Sequence, residues 1–127
     1  MKLVVTERGS DAARDAWRDT DMVVSSLLLY PEARAALGRA ARARRAGATQ
    51  RAKESLEWLW EQVDAVALDE PLVRSAANLA ERCHLHAYDA VHLASALSLA
   101  DEDIVLVTAD RKLLEAAQAL GLNTASV

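Results

Sequence analysis

The chain has 127 residues, 52% of them hydrophobic and 27% charged, with four glycines, two prolines and a single cysteine. That composition fits one globular domain over residues 1–127 and excludes a disulfide-stapled, collagen-like or disordered chain. A net charge of −4 gives no overall attraction for nucleic acid, so any such contact must be local.

No apolar run approaches the roughly 20 residues that span a bilayer. Met1 is followed by a short apolar run and then by Thr6-Glu7-Arg8, which is not the pattern of a secretory leader. Together with the lone Cys83, this predicts a cytoplasmic protein without a membrane partner.

Along the chain, Gly9–Trp17 (GSDAARDAW) reads as a helix start, with Ser10 as cap and Asp11 favouring the helix dipole. Asp21–Ser26 (DMVVSS) is a short β-branched strand. Residues 27–47 (LLLYPEARAALGRAARARRAG) read as a helix by their Ala, Leu and Arg content, with Pro31 in the first turn and Gly47 as the stop. A second helix is predicted over Thr49–Val63, with Thr49 as cap and Leu56, Leu59 and Val63 on its inner face. Trp58 and Trp60 are two apart and cannot share a face, so one is expected inward and the other outward.

Residues 64–69 (DAVALD) form the next predicted strand, and Asp69-Glu70-Pro71 opens a helix that runs to Cys83. Residues 87–97 (AYDAVHLASAL) are another helix, with Asp89 in its first turn. Residues 104–110 (IVLVTAD) are the clearest strand. They lead directly into a helix capped by Asp110 and stopped by Gly121, and residues 122–127 (LNTASV) close the chain as a last strand. Short strands separated by helices predict a parallel sheet covered on both faces, an α/β sandwich.

In such a sheet the strand ends and the following helix starts share one edge, where ligands bind. Glu32, Asp89 and Asp110 all fall at that edge. Converging carboxylates repel unless a cation intervenes, and hard oxygen ligands suit Mg²⁺ or Mn²⁺, ions that activate water against a phosphodiester. Thr108 and Ser25, at the same edge, are candidates to orient a ligand or a water. Singly, each acid has a structural explanation: Asp110 as a cap, Asp89 as a complement to the dipole, Glu32 as a surface charge. Cys83, His84 and His86 in CHLH give a weak zinc signal, since a structural zinc site needs further ligands at suitable spacing, and His92, on the apolar face of its helix, reads as a core residue. From Arg34 to Lys53 the chain carries Arg34, Arg39, Arg42, Arg44, Arg45, Arg51 and Lys53 with no acid between them. This basic flank is either a solvated helix face or a contact for phosphates.

The segments SSLLLYPEARAAL (25–37), AYDAVHLASAL (87–97) and LVTADRKLLEAA (106–117), in this order and spacing, resemble the PIN domains, and within them the VapC-type toxins of bacterial toxin–antitoxin pairs. The resemblance implies a PIN-like three-layer sandwich and a Mg²⁺- or Mn²⁺-dependent endoribonuclease that cleaves RNA. It also implies a cognate antitoxin and a homodimer. Carried over by position, Glu32, Asp89 and Asp110 are the catalytic and metal-holding acids and Thr108 is a supporting polar residue. For an RNA substrate, the basic flank with Arg39, Arg42, Arg44 and Arg45 is the expected place for its phosphates. The family opens on a strand ending in Asp followed by a short helix. Met1–Glu7 matches the end of that helix, so the first strand and its Asp are expected to be lacking, with the true start upstream. A catalytically impaired, truncated PIN module with a binding or regulatory role is the alternative. A metal-binding phosphatase fits the motifs less well.

Overall fold

The computed structural model describes residues 2–5, 22–42, 46–99 and 103–126. The predicted helix start at Gly9–Trp17 and the residues Arg44 and Arg45 lie outside these. Five strands, β1 (Lys2–Val5), β2 (Met22–Ser26), β3 (Val63–Val66), β4 (Ile104–Thr108) and β5 (Thr124–Ser126), form one sheet in the order β3-β2-β1-β4-β5. Every pairing is parallel. Among the described residues there are five helices: α1 (Leu29–Ala41), α2 (Ala46–Glu61), α3 (Glu70–Cys83), α4 (Ala87–Leu97) and α5 (Arg111–Ala119).

The centre of the sheet corrects the sequence reading. Lys2–Val5, expected as the tail of a helix, is a strand paired with β2 on one side (Leu3 with Val23) and β4 on the other (Leu3 with Val105). The sheet therefore has a strand where its first was expected to be lacking, although no acid falls within it. The physical reason is long-range. Between β2 and β4, two rows of buried backbone donors and acceptors need partners, and a tetrapeptide with two β-branched residues fits that slot. A local pattern cannot report that demand.

Alternation along the strands divides the core. Val24, Ile104 and Leu106 pack with Leu72, Ala76 and Leu79 of α3, Leu93 and Ala94 of α4, and Leu113 and Ala117 of α5. Val23 and Val107 pack on the other face, against Leu29 of α1, Val63 and Ala125. Helices thus contribute to both faces, giving the predicted α/β sandwich. Its inner strands read as near-continuous apolar runs because neither face meets water.

Helix boundaries follow local chemistry in most places. Asp69 caps α3, its carboxylate accepting from the Leu72 N–H at 3.0 Å, with Pro71 in the first turn. Gly121 stops α5 at φ +86°, a left-handed conformation that glycine adopts without penalty. Its N–H donates to the Gln118 carbonyl and that of Leu122 to the Ala117 carbonyl, both at 3.0 Å. Gly47 is not the stop that was expected. It lies in the first turn of α2, which begins at Ala46, so Thr49 is inside the helix rather than its cap. Of the two tryptophans, Trp58 is exposed and Trp60 packs at 5.4 Å on the Tyr30 ring, linking α2 to α1. No helix among the described residues is long and apolar enough to cross a membrane.

Candidate active site

Three acids reach the carboxyl edge of the sheet from three different elements. Glu32 stands in the first turn of α1, just after β2. Asp89 is in the first turn of α4, and Asp110 follows β4 as the cap of α5.

Hydrogen bonds in the preceding turns set two of them, Glu32 and Asp110, in place. After β2, the buried Ser26 hydroxyl accepts from the Leu28 N–H at 3.1 Å and the Leu27 N–H donates to the Val66 carbonyl at 3.2 Å. This turn launches α1 and so places Glu32. Ser25 is fully buried, and its hydroxyl donates to the Ser26 carbonyl at 3.0 Å. Its polar group is thus committed to the backbone. At the end of β4, the Thr108 hydroxyl accepts from the Asp110 N–H at 3.0 Å. Asp110 Oδ1 in turn accepts from the Leu113 N–H at 2.8 Å. Thr108 therefore acts on the site through the backbone, fixing the turn that presents Asp110. Oδ2 of Asp110 keeps its lone pairs free of hydrogen bonds among the described residues.

Asp89 feels the charges of both other acids. Burial pushes the Asp89 carboxyl above the usual carboxylate range, and the Asp110 charge pushes it further. Glu32 adds to the rise, while His92 and His86 act against it. An acid raised by burial and by two neighbouring carboxylates is a candidate functional residue.

A raised carboxyl pKa means that the folded protein binds the Asp89 proton more tightly than the unfolded chain does. In the window between the two pKa values the native state holds more protons, so metal-free stability falls as pH rises through it. Thermal melts of the metal-free protein against pH should show that fall, and Asp89→Asn should flatten it. An unchanged slope in the variant would place the effect elsewhere.

All donors in this trio are anionic oxygens, which fits a hard divalent cation. Among the described residues no group of three His, Cys, Asp or Glu side chains is arranged to hold a metal ion. The trio therefore offers suitable donor chemistry without a closed cage.

The PIN domain family model matches residues 1–119 of the chain. The chain belongs to the PIN domain family. Ribonuclease VapC49 of Mycobacterium tuberculosis strain H37Rv is 39% identical, over 98% of this chain and 88% of its own length. Among solved structures, PAE2754 of Pyrobaculum aerophilum superposes with a TM-score of 0.74 at 26% identity, covering 97% of this chain and 88% of that one. VapBC2 of Rickettsia felis, bound to a DNA fragment from its promoter, gives a TM-score of 0.67 at 10% identity, covering 99% and 98%. At that identity the likeness is one of fold.

Two features of this PIN domain's site do not follow from its sequence. Ser26 shapes the turn before Glu32, where the sequence points to Ser25 instead. His92 is buried as expected of a core residue, at 1% exposure, yet its Nε2 lies 2.5 Å from Glu32 Oε1. In CHLH, His84 closes α3 in a left-handed conformation (φ 55°), and His86 precedes α4 as its extended cap residue. Arg39 and Arg42 are exposed at the far end of α1 from Glu32. Arg34 is engaged, donating to Tyr30 Oη at 2.8 Å and to Glu57 at 3.3 Å, while the Tyr30 hydroxyl also bonds Glu57.

Asp110 combines two roles that substitution can separate. Asparagine caps a helix about as well as aspartate but carries no charge. Asp110→Asn should therefore melt close to the parent and, if the three acids hold a divalent ion, bind Mn²⁺ more weakly. Asp69→Ala, which removes only a cap, should cost about 1 kcal/mol of stability and leave Mn²⁺ affinity unchanged. Melting curves and calorimetry on the two variants check both halves.

Proposed function

We propose that this PIN domain is a metal-dependent endoribonuclease toxin that hydrolyses RNA phosphodiesters and is held in check by a cognate antitoxin. The observation that carries this reading is that Glu32, Asp89 and Asp110 stand at helix starts along the carboxyl edge of the sheet, with the Asp89 carboxyl raised by burial and by the Asp110 and Glu32 charges. The name of the relative Ribonuclease VapC49, 39% identical over nearly the whole chain, supports RNA as the substrate. The fold shared with VapBC2 supports an antitoxin as partner.

The carboxylates of Glu32, Asp89 and Asp110 would hold Mg²⁺ or Mn²⁺, which when bound supplies an activated water and stabilises charge at the phosphate. The protein's own part is positional. The cap bond holds one oxygen of Asp110 and leaves the other available, Thr108 fixes the turn beneath it, and the apolar helix α4 keeps Asp89 half out of water.

RNA phosphates would be met by the basic flank of Arg39, Arg42, Arg44 and Arg45. Arg42 lies ten residues beyond Glu32, about 15 Å along the helix axis, so it would touch the strand several nucleotides from the cleaved bond. Replacing the four arginines by alanine should flatten the salt dependence of RNA binding by roughly 0.7 in log–log slope per lost phosphate contact. A slope identical to the parent's would exclude this flank.

Homodimerisation belongs to the same reading and is checked by sedimentation of the purified chain. The rival reading, a PIN module that binds an antitoxin without cutting, gains from the absence, among the described residues, of a three-residue group arranged to hold an ion. Incubation of RNA with the purified protein and Mn²⁺ separates the two. Cleavage supports the enzyme, and intact RNA beside retained antitoxin binding supports the module.

A further inference from the structure

We propose that His92 is a positioning residue that holds Glu32 for the ion. The proposal rests on the reading of the three acids as a metal site.

His92 is three residues after Asp89 on α4, which places the two on one side of the helix, and it comes from a part of the chain 60 residues from Glu32. The imidazole is buried, at 1% exposure, in a helix whose neighbouring positions are Leu93, Ala94 and Ala96, all within the apolar core. Its Nδ1 is buried without a hydrogen-bond partner among the described residues. A polar ring with one unsatisfied nitrogen is a costly core residue, and Leu would pack there without that cost. What the ring supplies is its other nitrogen.

Nε2 lies 2.5 Å from Glu32 Oε1. In the tautomer with its hydrogen on Nε2, the ring donates to the Glu32 carboxylate. Glu32 has a long side chain at a half-exposed position, with several rotamers to lose on binding an ion. A short bond from a ring locked in the core removes that freedom beforehand. The other oxygen, Oε2, has no hydrogen-bond partner among the described residues and remains available to a cation. This is how the protein groups behind a metal site act: they hydrogen-bond the ligating carboxylate and fix its orientation. Because His92 and Asp89 share a helix, the contact also ties α1 to α4 and fixes the spacing of two of the acids.

The test compares His92→Leu, which keeps the apolar volume and removes the donor, with His92→Gln, whose terminal amide N–H reaches toward Glu32. Mn²⁺ affinity by calorimetry, melting temperature, and kcat and KM on RNA are read on each. H92L should bind Mn²⁺ at least tenfold more weakly and lose kcat with KM unchanged, while H92Q recovers most of both. A merely structural role would lower the melting temperature of both variants and leave Mn²⁺ affinity of the folded protein as it was. Parental Mn²⁺ affinity in H92L, beside a loss in Asp89→Asn, would overturn the proposal and leave the metal-site reading standing. Parental affinity in D89N as well would overturn both. Should H92L fail to fold, His92→Asn, whose amide is too short to reach Glu32, takes its place beside H92Q, and weaker or parental Mn²⁺ affinity then decides in the same way.

Discussion

Asp89→Asn should cut RNA cleavage by about a hundredfold or more while leaving a folded protein. The change replaces one carboxylate oxygen by an amide and removes the negative charge that Asp110 and Glu32 both act on. A metal ion is worth several kcal/mol of transition-state stabilisation, and each 1.4 kcal/mol is tenfold in rate, so cleavage should drop by roughly a hundred- to a thousandfold. Stability should move the other way. Ionised Asp89 is held half-buried beside two like charges, which opposes folding, and the neutral amide relieves that repulsion. Loss of cleavage together with an equal or higher melting temperature at neutral pH is therefore the expected pair of results, measured on one preparation. Loss of both would instead mark Asp89 as structural.

Leu93→Ala should give the opposite pattern, a stability defect without a chemical one. Leu93 is fully buried and lies at the centre of the cluster that joins α3, α4 and α5 to the sheet. Truncation removes three carbons from a site that neighbouring helices cannot close over, costing about 3 kcal/mol. For a domain of this length that lowers the melting temperature by about 10 °C. Because α4 also carries Asp89 and His92, the variant should bind Mn²⁺ normally at low temperature and lose binding only as it melts. A drop of only a degree or two would mean that α4 packs more loosely on the sheet than its burial indicates.

What was legible in the sequence was what local chemistry determines. The run Ile104–Thr108 followed by Asp110 announces a strand, a turn and a helix cap within seven residues, and each of these forms as read. Asp69-Glu70-Pro71 does the same for α3. The placing of Glu32, Asp89 and Asp110 at helix starts along one edge followed from the parallel topology, since it needs only that the helices start where the strands end.

The features that were missed depend on partners far along the chain. Lys2–Val5 reads locally as the end of a helix and becomes the central strand because β2 and β4 each offer it a row of backbone partners. His92 reads as core from its apolar neighbours, and nothing within its helix points to a glutamate 60 residues earlier. Gly47 reads as a stop, yet α2 begins around it. A glycine is only a terminator where the chain must turn left-handed, as Gly121 does, and composition alone does not distinguish the two.

The most direct measurement of the central claim is cleavage of a panel of RNAs by the purified chain with added Mn²⁺, with EDTA, and with Mn²⁺ restored after EDTA. Cutting with Mn²⁺, silence under EDTA and recovery on restoring the ion are predicted. Cutting that persists under EDTA, or intact RNA under every condition from a folded protein, would contradict it.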